Sequence, residues 1–115
     1  MRITKVEVIT IKGGGVSRPV LCRVSTDEGI YGYGEATLSV GIGSGSVRAA
    51  IRDIAPVVIG MDPFANEAIW EKMRHDSFWG LSHGIIHMAA ISAIDTALWD
   101  IKAKACQVPL YRLLG

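Results

Sequence analysis

Two histidines four residues apart, His83 and His87, have the spacing that sets two imidazoles on one helix face, where a metal ion could bind. The residue after His83 is Gly84, not the glutamate of a zinc-protease helix, and no third ligand is placed nearby. The pair therefore reads as structural histidines at a helix start. Gly41, Gly43 and Gly45 follow a strand pattern and precede a helix, as in a loop whose amides cradle a phosphate. The third fingerprint glycine falls on Ser46 and no parallel strand follows, so a loop near a ligand is expected here and a nucleotide site is not. Glu35, at a strand end, and Asp95, in a long helix, are the carboxylates expected to be partly buried. A lone buried carboxylate more often serves an amide or a cation than a proton transfer. Phe78, Trp79 and Leu81 form an apolar knot between glycines, fit for a pocket wall or for core. Cys22 and Cys106 lack the short spacing of a zinc or redox motif and read as small buried hydrophobes. No Ser/His/Asp or Cys/His set has a supporting context. No catalytic residue and no metal ligand is assigned within the 115 residues.

The elements that must position these residues are legible from period and punctuation. A β-branched run through Ile3, Val6, Val8, Ile9 and Ile11 is broken by GGGVSRP, and PVLCRVST makes a second strand. Asp27, Glu28 and Gly29 turn the chain into IYGYGEATL, giving a three-stranded antiparallel meander. After SVGIGSGS everything from Ser46 reads helical. Val47, Ile51 and Ile54 line one side of the first helix, with Arg48 and Arg52 outside. Asp62 and Pro63 supply a helix cap and first turn for a second helix that packs through Ile69, Trp70 and Met73. A long helix from Ile85 carries Ile91, Ile94, Leu98 and Ile101 on one stripe and Ile85, Met88 and Trp99 on another. Thr96, Asp100 and Lys104 form its polar strip, in which Asp100 and Lys104 can pair. Two apolar stripes need two partners. Pro109 starts one more turn that ends in Leu113, Leu114 and Gly115.

Composition narrows the class. Half of the residues are hydrophobic, and twelve basic residues are interleaved with eleven acids for a net charge of +1. No basic patch suits nucleic acid, and no apolar run approaches the roughly 20 residues of a membrane span. The N-terminus alternates like a strand and lacks the apolar core of a signal peptide, so a cytoplasmic protein is expected.

The order of DEGIYGYGEA, IGMDP and ISAIDTALWDIKAKACQVPLYRLLG resembles the N-terminal capping domain of the enolase superfamily, in its mandelate racemase and muconate lactonizing enzyme branch. The similarity covers essentially the whole chain, and IDTALWDIKAK followed by PLYRLLG is its most specific part. It implies an α+β fold, a three-stranded antiparallel meander followed by a helical bundle. Residues 1–115 would be the capping domain, with residues from about 85 leading toward a (β/α) barrel that this chain lacks. The Mg²⁺ of such enzymes, held by three carboxylates of the barrel, and the Lys or His bases would lie beyond Gly115, and the doubly apolar helix would meet the barrel with one side.

The reaction implied is removal of a proton α to a carboxylate, with Mg²⁺ stabilising the enediolate. The cap would close the barrel mouth and read the far end of a small carboxylate substrate. Loops at 13–18 and 38–46 correspond to specificity loops of similar proteins. Val16, Ser17, Arg18 and Ser44 are the expected substrate contacts, with Trp79 and His83 at the rim. Their Gly/Ser-rich, polar character suits an acid sugar, so a dehydratase is expected, with a racemase or cycloisomerase as the alternative. Assembly as a homo-oligomer is also expected. From another class, a free-standing α+β binding or oligomerisation module without catalysis would account for the same two stripes.

Overall fold

The computed structural model describes residues 1–12, 17–37, 42–82 and 84–115, with Trp79 described by its backbone alone. Three strands, β1 (Ile3–Thr10), β2 (Val20–Thr26) and β3 (Tyr31–Ala36), form an antiparallel sheet in the order β1-β2-β3. Four helices follow: α1 (Ser44–Val58), α2 (Asn66–His75), α3 (Ile85–Ala105) and α4 (Leu110–Leu114), with a 3₁₀ turn at Phe78–Ser82 before α3. This is the α+β meander and bundle read from the sequence.

Side-chain alternation decides which face of the sheet is covered. Val20, Cys22, Val24 and Thr26 of β2 and Gly32, Gly34 and Ala36 of β3 are buried, while Tyr31, Tyr33 and Glu35 point outward. Glu35 is therefore exposed, contrary to expectation, because it shares the outer face with the two tyrosines. Gly29 closes the β2–β3 turn at φ +78°, a conformation that a side chain would resist.

Helix α3 packs on the inner face of β3, and small residues on both elements let it approach. A Cβ at Gly32 would fall 2.0 Å from the Ala97 carbonyl oxygen, so the two backbones touch with nothing between them. Helices α1 and α2 pack against α3 as well. The result is that Ala89, Ala90, Ile91, Ala93, Ile94, Ala97, Leu98 and Ile101 are all buried by this chain's own atoms. The stripe of Ile91, Ile94, Leu98 and Ile101 is thus covered within the chain, whereas the second stripe, Ile85, Met88 and Trp99, is not fully enclosed by it. Met88 and Trp99 are half-buried, and the barest apolar surface of this helix lies at its start and the preceding turn, where Ile85 is 68% and Phe78 77% exposed.

Three further local differences have physical causes. Helix α1 starts at Ser44, two residues before the expected start, so Ser44 is not in a loop; it is buried with 3% of its surface exposed. Asp62 does not cap α2. Its Oδ1 accepts the Phe64 N–H at 3.0 Å and its carbonyl accepts the Ala65 N–H at 3.0 Å, so Asp62-Pro63-Phe64 closes a separate turn and the helix begins at Asn66. Cys106 is exposed, because it is the C-cap of α3 and lies past its packed face, whereas Cys22 is buried as expected.

Candidate functional site

Both candidate specificity loops leave from one end of the sheet. The first joins the end of β1 to the start of β2 and the second joins the end of β3 to α1, so antiparallel pairing brings their bases together. The Ile11 N–H donates to the Pro19 carbonyl at 3.3 Å and fastens the first loop at its neck.

Between the loop bases lies a cavity of about 410 Å³ lined, among the described residues, by Thr10, Ile11, Lys12, Arg18, Ser44 and Arg48. Arg48 is half-buried, and its guanidinium donates from Nη1 to Thr10 Oγ1 at 3.1 Å, tying α1 to the end of β1. Three cations thus face one space, and no acid is among the described lining residues. The field of α1 has the same sign. The helix begins beside the cavity with no acidic residue in its first turn and no side-chain cap among the described residues, so the positive end of its dipole lies toward the same region. Such a site attracts carboxylate or phosphate oxygens and repels a divalent cation.

Of the expected substrate contacts, Arg18 and Ser44 are brought together in this cavity. Ser17 is exposed beside it and does not line it. Val16 and His83 lie outside the described residues, as does the Trp79 side chain. The turn that carries Trp79 borders a different cavity, of about 530 Å³, which Phe78 lines with Ser46, Ala49, Asp53, Ser77 and His87 among others. Ser44 and Arg48 stand on the opposite face of α1 from Ser46, Ala49 and Asp53, so the two cavities lie on opposite sides of that helix. The contribution of the residue 79–83 segment to the Arg18–Ser44 site is therefore not seen in the described geometry.

Lys12, Thr10 and Arg48 were not among the expected contacts. Arg48 was read as outward-facing beside Arg52, but it turns toward Thr10. The signal was present, since Ser44 and Arg48 are four apart and must share a helix face once α1 is known to begin at Ser44.

The other chemical candidates have structural roles. The Ser77 hydroxyl donates to the Met73 carbonyl at 2.9 Å and shares a hydrogen bond with His87 Nε2 at 2.6 Å, which joins the end of α2 to the start of α3. Burial pushes the Asp95 carboxyl above the ordinary range, an effect opposed by the neighbouring Asn66 amide and Trp99 indole. Neither Asn66 Nδ2 nor Oδ1 forms a well-directed hydrogen bond. Burial likewise pushes the Cys22 thiol up to about 12, so it stays protonated and inert. Among the described residues no group of three or more His, Cys, Asp or Glu side chains could hold a metal ion. These residues do not fit Mg²⁺, which takes oxygen ligands and prefers carboxylates. Nor is any described helix long and apolar enough to cross a membrane.

Residues 4–115 match the family model described as the N-terminal domain of mandelate racemase / muconate lactonizing enzyme. The D-mannonate dehydratase of Novosphingobium aromaticivorans is 43% identical over 115 residues, which are 100% of this chain and 27% of that protein. A solved member of the enolase superfamily from Salmonella Typhimurium superposes with a TM-score of 0.95 at 49% identity, over 99% of this chain and 29% of that one. An enolase from Pantoea ananatis, solved with bound D-gluconate and Mg, gives a TM-score of 0.86 at 39% identity, over 98% and 26% of the two chains. The chain thus spans less than a third of the length of each of these relatives.

Proposed function

The chain belongs to the mandelate racemase / muconate lactonizing enzyme family, in the part described as its N-terminal domain, and from that premise we propose that it is the specificity cap of an acid-sugar dehydratase. Residues 1–115 form the cap, and the apolar surface at Phe78, Leu81, Ile85 and Ile86 meets the barrel of the same polypeptide. The reaction removes the proton α to a carboxylate and expels the β-hydroxyl as water, leaving a 2-keto-3-deoxy acid. Mg²⁺, bound outside these 115 residues, would supply positive charge where negative charge develops at the carboxylate. The cap's own residues do other work. They exclude water and bind the end of the substrate remote from the reacting carbon.

The observation that carries this reading is the convergence of both loop bases on one cation-lined cavity that contains Arg18 and Ser44. Arg18 and Ser44 contact the substrate there, joined by Val16 and Ser17 from the first loop. The names of the relatives agree, since a D-mannonate dehydratase and a D-gluconate-bound enolase both concern polyhydroxylated acids. The test is to incubate the full-length protein and Mg²⁺ with a panel of acid sugars and to measure 2-keto-3-deoxy acid by its semicarbazone. Formation of that product supports the dehydratase. Exchange of the α-proton with solvent deuterium without loss of water would replace it with a racemase.

A further inference from the structure

The cavity between the loop bases is more strongly charged than a hydroxyl-bearing substrate end requires. Lys12, Arg18 and Arg48 line it with no acid among the described lining residues, and α1 begins beside it without a side-chain cap. A second observation concerns Ser44, which lines the same cavity. Its surface is only 3% exposed, and its hydroxyl takes part in none of the hydrogen bonds among the described residues. That hydroxyl is free to donate to a group held in the cavity. Arg48 is already fixed by its bond to Thr10 at 3.1 Å, and its remaining N–H donors are available. Apart from Ile11 and the Thr10 hydroxyl already engaged by Arg48, the described groups that line this space are three cations and the Ser44 hydroxyl. The complement is an acceptor with a full negative charge of its own.

We propose that this cavity holds a second anionic group, so that the substrate is an acid sugar charged at both ends. Its distal anion, a terminal carboxylate or a phosphate ester, lies between Arg18, Arg48 and Lys12 and accepts from Ser44. This rests on reading the chain as the cap of an acid-sugar enzyme, and it deepens that reading by naming the substrate class. It departs from the D-gluconate held by the Pantoea relative, which has a single carboxylate. A neutral hydroxymethyl end would leave three cations facing one another across the cavity without a counter-charge.

The experiment compares the hexarates, the matching hexonates and the hexonate 6-phosphates as substrates of the full-length protein with Mg²⁺. The best doubly charged acid is expected to exceed every hexonate in kcat/KM by at least ten-fold. Arg48→Met and the surface variant Lys12→Met are each expected to narrow that ratio by three-fold or more. Lys12→Met serves if Arg48→Met does not fold. Whether the hexarate or the 6-phosphate leads identifies the anion. A hexonate that matches or exceeds both charged classes overturns the inference, as do variants that lower both classes equally. If no acid sugar is dehydrated, the dehydratase reading itself fails, and calorimetric binding of the same panel decides the inference. Tighter binding of the doubly charged acids that is lost in the variants sustains it, and equal binding ends it.

Discussion

Gly34 and Ala93 approach so closely that a Cβ built on Gly34 would stand 1.9 Å from the Ala93 carbonyl oxygen. No side-chain rotation can relieve that overlap, because both atoms belong to, or are fixed by, backbone. Helix α3 would have to lift from the sheet and loosen the contacts of Ile94 and Leu98 as well. Gly34→Ala is expected to cost about 3 kcal/mol, at the upper end for overpacking. Urea unfolding measures it. A cost below about 1 kcal/mol, the low end of that range, would mean that the helix seats less tightly than described.

The free edge of β3 is covered by the same helix. Asp100 Oδ2 accepts the Tyr33 N–H at 2.9 Å, and Lys104 Nζ donates to the Tyr31 carbonyl at 2.8 Å and to Asp100 at 2.7 Å. Two side chains at i and i+4 thus occupy the donor and acceptor that an edge strand would otherwise offer to another strand. Asp100→Ala is expected to destabilise the fold by about 1 kcal/mol, the size of one partly exposed hydrogen bond. Amide exchange at Tyr33 should accelerate more than at its sheet-paired neighbour on β2, Arg23. Equal acceleration at both would show general loosening in place of an unmasked edge.

These two contacts mark where the sequence was legible and where it stopped. Period-two alternation and the Asp27–Gly29 turn are local signals, and they sufficed for the meander and its order. The Asp100–Lys104 pair was legible for the same reason. The glycines of β3 were visible as alternating residues, but their purpose depends on Ala93 and Ala97, about sixty residues away. A helical wheel separates Ile85, Met88 and Trp99 from the stripe of Ile91, Ile94, Leu98 and Ile101, but it undervalues Ala90, Ala93 and Ala97, which are buried with that stripe. The site was half legible. Arg18 and Ser44 were named, but Lys12 and Arg48 join them only once the first helix is known to begin at Ser44. A two-residue error in that boundary hid the face that Arg48 shares.

Gln107 ends α3 with φ +55°, the one non-glycine residue in the left-handed region among those described. Around it the Val108 N–H reaches the Ala103 carbonyl at 3.0 Å and the Gln107 N–H the Lys104 carbonyl at 3.1 Å, which closes the last turn. Glycine fits this position without the steric cost that a Cβ brings. Gln107→Gly is therefore expected to stabilise the protein by about 0.5 kcal/mol, while Gln107→Val should destabilise it. A rise in thermal midpoint for the glycine variant and a fall for valine check the pair.

Asp95 gives a pH dependence with a definite sign. It lies half-buried in α3, facing Asn66 and Glu67 of α2 and, on its own helix, Trp99 and Lys102. Burial is the largest influence and raises its pKa above the unfolded value of 3.8, and the coulombic effect of Glu67 acts in the same direction. A carboxyl with a raised folded-state pKa binds its proton more tightly when folded, so its favourable contribution is complete below pH 3.8 and is lost as pH rises through the folded-state pKa. Asp95→Asn has no proton to lose. Its stability relative to the wild type should therefore be constant below pH 3.8, climb through the folded-state pKa and level off toward neutrality. Urea midpoints for both proteins from pH 3 to 7 measure the difference. A difference that falls with rising pH would mean that Asn66, Trp99 and Lys102 outweigh burial, and that Asp95 is held ionised at the junction of α2 and α3.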